Sequence, residues 1–205
     1  LKIEEQPLAA ASLAQVHRAT NLDGAPKDLC VKIQYPGIAD AIEDDFRNVM
    51  QMLSLARWIE SGRQLESLTS DLKQHLMREV DYQVELTTAQ SVGALLKDDA
   101  RFVVPKYYPQ WSSSRVLTMD FLAGVDVTDP SVQALSQSRR NRLGRMMLEL
   151  FFREAFEWRL MQTDPNFGNY RILIDPEGEN DRLALLDFGA VQQLTSEFSQ
   201  SLKKT

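Results

Sequence analysis

The spacing of apolar positions changes several times along the chain, and each change marks a new element. Ser12 to Thr20 and Asp28 to Gln34 are two short apolar stretches. The turn-forming Asn21, Asp23, Gly24 and Pro26 between them predict a β-hairpin with a longer loop. A strand ahead of Pro7 would complete an antiparallel meander. After Tyr35, Pro36 and Gly37 the period becomes three and four, and Ile38, Ile42, Phe46, Val49, Leu53 and Ala56 fall on one face of a helix. A second helical pattern through Leu65, Leu68, Leu72 and Leu76 runs on to about Leu95. Phe102 to Val104 and Val116 to Met119 read as strands again.

Asp129 is placed to cap a helix that has Pro130 in its first position. From Arg139 to Leu160 the pattern is apolar on most sides in its middle, through Met146, Met147, Leu148, Leu150, Phe151 and Phe152, which predicts a helix packed inside a lobe. Tyr170 to Ile174 and Leu183 to Leu186 flank Pro176, Glu177 and Gly178 and predict a small hairpin. Strands with inserted helices, then a helical half with one hairpin, predict a two-lobed α+β fold. Residues 1–122 would form the first lobe and 123–205 the second, joined near Asp120 to Gly124.

Composition narrows the function more than the fold. At 205 residues, with 43% hydrophobic and 25% charged residues, the chain is an ordinary globular one whose core needs no disulfide. Its single cysteine, Cys30, lies in the apolar run LCVKI and reads as a small buried strand residue. A net charge of -6 argues against a nucleic-acid partner, since such surfaces gather Lys and Arg against phosphates. Arg139, Arg140, Arg142 and Arg145 accordingly read as one end of a solvated helix. No apolar run reaches the roughly 18 residues of a membrane span, and the amino terminus resembles neither a signal nor a transit peptide. The start at Leu1 and the end at Thr205 read as those of a fragment, so targeting or membrane segments belong to what lies outside it.

The chemistry concentrates in TDPNFGN, Thr163 to Asn169, followed by LLDFG, Leu185 to Gly189. Kinase-type phosphoryl transfer needs an aspartate beside the attacking group, an asparagine five residues later to bind metal, and a second aspartate after a hairpin to hold Mg²⁺ across the phosphates. Asp164, Asn169 and Asp187 satisfy that order; the bland alternative is that Asp164 and Asp187 merely cap turns. Lys32, between Val31 and Ile33 on a predicted strand, needs an acceptor if it is buried, and phosphates with a helix glutamate supply one. Its alternative is a solvated place on an exposed sheet face. His17, in the predicted second strand, and His75, on a helix, lack a second ligand at metal spacing and read as packing or surface residues.

PLAAASLAQVHRA at Pro7 to Ala19, VKIQYPG at Val31 to Gly37, REVDYQVE at Arg78 to Glu85 and MQTDPN at Met161 to Asn166 together resemble the UbiB family of atypical kinase-like proteins. The resemblance is strongest to its ubiquinone-biosynthesis branch, mitochondrial and proteobacterial, and it covers nearly the whole chain. It implies a protein-kinase-like fold that this chain would contain truncated at both ends, with ATP and Mg²⁺ as cofactors. Ala9, Ala10, Ala11 and Ser12 match the family's alanine-rich loop, which replaces the glycine-rich phosphate loop and narrows its backbone freedom. Glu79 and Asp81 match its E-x-D regulatory motif, and Glu85 matches the glutamate that pairs with the strand lysine. By helical geometry Asp81 and Glu85, four apart, share a face while Glu79 lies well round the cylinder, so Glu79 and Glu85 would do different jobs; the alternative is an acidic solvated face. Met119 to Gly124 match the hinge, where the backbone at Asp120 and Leu122 would meet adenine.

In that scheme Lys32 orients the phosphates, Asn169 and Asp187 bind Mg²⁺, and Asp164 positions or deprotonates the attacking water or hydroxyl. The family's K-x-G-Q extension, which precedes the alanine-rich loop, is not in this chain. The resemblance implies ATPase activity supporting ubiquinone biosynthesis, with biosynthetic proteins or lipid intermediates as partners and peripheral membrane contact. The setting would be the bacterial cytoplasm at the inner membrane, or the matrix side of the mitochondrial inner membrane. Two other functions stay open: a pseudokinase scaffold that senses nucleotide, and a protein or small-molecule kinase. A conventional protein kinase is disfavoured by the alanine-rich loop and by Gln162 and Thr163 where His-Arg would precede the aspartate.

Overall fold

The structure, a computed structural model, describes residues 1–11, 13–55, 73, 76–78, 80–164 and 166–202. It is an α+β protein. In chain order its elements are strands Lys2–Ala10 (β1), Ala14–Thr20 (β2) and Asp28–Gln34 (β3), helices Ile38–Leu55 (α1) and Tyr82–Leu96 (α2), and strands Phe102–Val103 (β4) and Val116–Asp120 (β5). There follow helices Pro130–Gln133 (α3) and Gln137–Phe152 (α4), strands Leu160–Gln162 (β6), Tyr170–Leu173 (β7), Arg182–Leu185 (β8) and Val191–Gln193 (β9), and helix Ser196–Leu202 (α5). The contacts divide the chain into two compact units, Leu1–Glu85 with Tyr108–Met119 and Leu86–Tyr107 with Asp120–Thr205. Residues 86–107 thus group with the later part of the chain.

The first unit is built on an antiparallel sheet in the order β1-β2-β3-β5. Strands β2 and β3 pair from Ala14 opposite Gln34 to Thr20 opposite Asp28, which puts Val16 beside Lys32. Alternation drives the pairing: Ala19, Leu29 and Val31 pack with Tyr108, and Ile33, Trp111 and Val116 close over them. Each such large side chain contributes about 1.5–3 kcal/mol on burial. Cys30 is half-buried rather than buried. Strand β1 does not stop before Pro7; it continues to Ala10, with register shifts on both sides of Pro7. Proline lacks an N–H, and an edge strand with an irregular ladder is where a sheet tolerates it.

Helix α1 forms where the three-four spacing predicts it, but its apolar side is only partly covered among the described residues, Val49 and Met52 being exposed. Of the second helical pattern, Leu65, Leu68 and Leu72 lie outside the described residues, and the part beyond Leu76 is interrupted. Arg78 is helical, Val80 is in a turn, and α2 starts afresh at Tyr82, because Asp81 accepts a hydrogen bond from the Gln83 N–H at 3.0 Å and caps the new helix.

In the second unit β7 and β8 form the expected hairpin, and β4 adds to β8 in parallel. Asp129 caps α3 by accepting from the Ser131 N–H at 2.8 Å, with Pro130 first in the helix. Helix α4 ends earlier than expected. After Phe152 the chain takes a π-helical turn over Arg153–Trp158, and Arg159 has φ of 54°. This left-handed residue ends the helix and turns the chain into β6. Among the described residues only one stripe of α4 is buried (Leu143, Met146 and Leu150), while Leu148, Phe151 and Phe152 are exposed.

The arginines of α4 are not merely solvated. The Arg139 guanidinium forks onto the carboxylate of Asp181, whose side chain is 2% exposed, and also reaches the Asp175 carbonyl at 2.9 Å. Arg142 donates to the Gly178 carbonyl at 2.7 Å. Together they hold the β7-β8 turn against the helix.

Candidate functional site

The predicted residues gather in two places, one in each unit. In the first, Lys32 points from β3 to Glu85 on α2, its Nζ lying 2.9 and 3.2 Å from the two carboxylate oxygens. The side chains are 14% and 2% exposed, so this is a buried ion pair. Such a pair persists only where geometry offsets the cost of desolvating both charges. A further contact helps: the Lys32 ammonium sits 5.1 Å from the centre of the Tyr82 ring, a cation–π distance. Tyr82, itself buried, escaped the sequence reading, although REVDYQVE places it three residues before Glu85, on the same helix face.

Asp81 does not share a helix face with Glu85, because it stands outside α2 as its cap. Its carboxylate instead fixes where the helix that carries Glu85 begins. Glu79 and Ser12 lie outside the described residues, as does His75. Of the alanine-rich segment, Ala9 and Ala10 are strand residues opposite Val16 and Gln15, and Ala11 donates its N–H to the Ala14 carbonyl at 2.8 Å. The hairpin connection is therefore tighter than a free loop from Ala9 onward. His17 is buried, its ring contacting the Glu4 carbonyl at 2.8 Å and the Gln15 side chain at 3.2 Å.

In the second unit the Asn169 amide nitrogen lies 3.2 Å from both the carbonyl and the carboxylate of Asp164. Leu186 donates its N–H to the Asn169 carbonyl at 2.9 Å, which sets Asp187 beside Asn169. One oxygen of Asp187 accepts the Gly189 N–H at 2.9 Å. Because the nitrogen of the Asn169 amide is turned to Asp164, the oxygen of that amide is the atom a cation there would meet. Carboxylate and amide oxygens suit a hard ion. Among the described residues no group of three or more His, Cys, Asp and Glu is disposed to hold a metal. A cation here would draw few ligands from the protein and the rest from elsewhere, as Mg²⁺ does with phosphates and water.

Two residues around this cluster were not anticipated. Gln162, at the end of β6, contacts both the Asp164 N–H and the Asp187 carbonyl. Glu154, 9% exposed in the π-helical turn, accepts from the Gln162 N–H at 3.3 Å. Burial pushes its carboxyl up to about 7, against the smaller opposing effect of that hydrogen bond. The Tyr170 hydroxyl is pushed up to about 12, by burial first and then by the negative charges of Glu154 and Asp164. Glu154 was legible in principle, since it continues the buried stripe Leu143, Met146, Leu150 by four residues.

At the expected hinge, the Asp120 N–H donates to the Lys106 carbonyl at 3.0 Å, and the Leu122 carbonyl accepts from Gly124 at 2.8 Å. Gly124 is required there, because a Cβ would lie 2.8 Å from that of Arg171.

Comparison with known proteins shows the family and the fold. The sequence profile of the ABC1 atypical kinase-like domain matches residues 1–205. The chain is 38% identical over 197 residues to rat "Atypical kinase COQ8B, mitochondrial", covering 96% of this chain and 36% of that protein. It is 34% identical to "Atypical kinase COQ8, mitochondrial" of Schizosaccharomyces pombe, covering 96% and 31% respectively. The chain thus spans about a third of the length of these curated relatives. Among solved structures, Rv3197 of Mycobacterium tuberculosis, in complex with erythromycin, superposes with a TM-score of 0.77 at 28% identity, over 94% of this chain and 47% of that one. The Rio2 kinase of Chaetomium thermophilum, an ADP/Mg²⁺-phosphoaspartate complex, superposes with a TM-score of 0.57 at 15% identity, over 100% and 52%, and shows the kinase-like fold alone.

Proposed function

The chain belongs to the ABC1 atypical kinase-like family, and on that premise we propose that it binds Mg-ATP and transfers or hydrolyses the terminal phosphoryl group. The observation that carries this reading is the Asp164, Asn169 and Asp187 cluster, which places three oxygen-bearing side chains together after the hairpin order of the sequence. Lys32, held by Glu85 and Tyr82, orients the α- and β-phosphates. Asn169 and Asp187 supply the protein ligands of Mg²⁺, whose charge would stabilise the phosphates as negative charge shifts among them. Asp164 accepts the proton of, or aligns, the attacking water or hydroxyl. Ala9 to Ser12 would meet the phosphates, and the backbone at Asp120 and Leu122 would meet adenine. Glu79 and Asp81 serve regulation.

At the level of the cell, the names of the relatives support a kinase-like role in ubiquinone biosynthesis, with biosynthetic proteins or lipid intermediates as partners. Relatives named as mitochondrial support the mitochondrial setting over the bacterial one. Among the described residues no helix is long and apolar enough to cross a membrane.

The test uses the full-length protein and compares phosphate release from Mg-ATP with that of the Asp187→Asn variant. Release well above the variant is expected. Equal release would overturn the catalytic claim, and nucleotide-induced thermal stabilisation without turnover would mark a nucleotide-sensing scaffold instead.

A further inference from the structure

Strand β6 ends at Gln162, opposite Val191 on β9. The two segments that bear the functional aspartates leave this short ladder from the same end, Asp164 two residues after Gln162 and Asp187 four residues before Val191. Two separate loops must therefore be held in register for their carboxylates to act on one ligand, and a ladder of three residues per strand is a weak frame for that.

The half-buried Gln162 amide bridges the gap. Its Oε1 accepts the Asp164 N–H at 3.1 Å and its Nε2 donates to the Asp187 carbonyl at 3.0 Å. A side-chain amide carries an acceptor and donors on one planar group, so a single side chain can hold both loops at a fixed separation. A methionine of the same reach could hold neither. Next to it, the Thr163 N–H and hydroxyl both donate to the Ala190 carbonyl, at 3.0 and 2.6 Å. Beneath it, Glu154 receives the Gln162 N–H, fixing the backbone from which the amide projects.

We propose that Gln162 is a positioning residue that sets the spacing of Asp164 and Asp187, with Glu154 anchoring it from the π-helical turn. The proposal rests on reading those aspartates as the phosphoryl-transfer and metal-binding pair. It goes further by assigning their alignment to two side chains that touch neither ligand nor metal.

The test takes the full-length protein without nucleotide and follows amide hydrogen exchange over residues 163–169 and 186–190. Gln162→Met removes both bonds, and exchange in both segments is expected to quicken by about 5- to 10-fold, the effect of losing a hydrogen bond of ordinary strength. Gln162→Glu keeps the acceptor and loses the donor, so exchange should quicken at 186–190 while the Asp164 amide stays near wild type. Glu154→Gln keeps the acceptor for the Gln162 N–H and should leave both segments unchanged. Exchange within about twofold of wild type in Gln162→Met, or equal quickening of both segments in Gln162→Glu, overturns the proposal. A parallel arm titrates Mg²⁺ at fixed ADP and reads the thermal shift. Gln162→Met should need several-fold more Mg²⁺ than wild type, and an unchanged midpoint counts against the proposal. If wild type gives no Mg-ADP response while the exchange pattern appears, the clamp stands and the nucleotide reading falls.

Discussion

The Lys32 and Glu85 pair and the Asp164, Asn169 and Asp187 cluster solve opposite electrostatic problems. The first is buried, with the cation in contact with both oxygens of its carboxylate and with an aromatic face. Charge is balanced within the protein, so this part is assembled before any ligand arrives. In the second, Asp164 stays exposed, and its carboxylate meets the Asn169 amide, which orients it without neutralising it. One place is preassembled; on the proposed reading the other takes its positive charge from a bound cation.

Substitutions can break this contrast, and the largest effect belongs to the buried pair. Glu85→Ala strands Lys32 with an uncompensated charge and should cost about 3–5 kcal/mol of stability, read by denaturant unfolding of the full-length protein. Asp187→Asn should leave unfolding nearly unchanged while lowering phosphate release about 100-fold or more, since removing a charge that acts on the transition state costs rate rather than fold. A reversal of these two patterns would sink the comparison.

Glu154 sharpens it, because it is a buried acid that faces Gln162 and Tyr170, and the hydrogen bond it accepts from the Gln162 N–H offsets only part of the effect of burial. Its carboxyl is raised from an ordinary 4.5 to about 7. The native state therefore holds a proton that the unfolded chain releases. Stability from this group is full below pH 4.5 and is lost as pH rises through 7, by about 3 kcal/mol in all. Glu154→Gln should flatten the difference between unfolding free energies at pH 5 and pH 8; a slope equal to wild type would contradict the buried acid. The smallest effect is expected at Asp81→Ala, which removes the cap of α2 at about 1 kcal/mol, visible as a modest fall in melting temperature.

How far the sequence foretold these features depended on how local their cause is. The β2-β3 hairpin, the Asp129 cap and the β7-β8 hairpin follow from alternation and turn residues within a few positions, and all three form where expected. The break before α2 was hidden because the helical pattern was read on to about Leu95, whereas Asp81, read as a helix-face residue, caps the start of a new helix. The arginines of α4 looked solvated because their partner Asp181 lies 42 residues away. Gln162 was weighed only as a departure from His-Arg, since nothing in its neighbourhood announces that it contacts a residue 25 positions on. The Asp164, Asn169 and Asp187 spacing was readable because catalysis restricts residue type, while the groups aligning them are restricted only by shape.

The π-helical turn at Arg153–Trp158 also bears on which changes of chain length this protein can absorb. A π turn holds one residue more than the α-helical turn it replaces. Deleting a single residue there would let the helix continue regularly with its later course little changed, whereas a residue lost from the three-residue strand Leu160–Gln162 would turn its side chains to the opposite face. Gln162 would then face the wrong way, so length variation should be excluded from that strand and admitted at the exposed Pro176 to Gly178 turn only as far as Arg139 and Arg142 can still grip it.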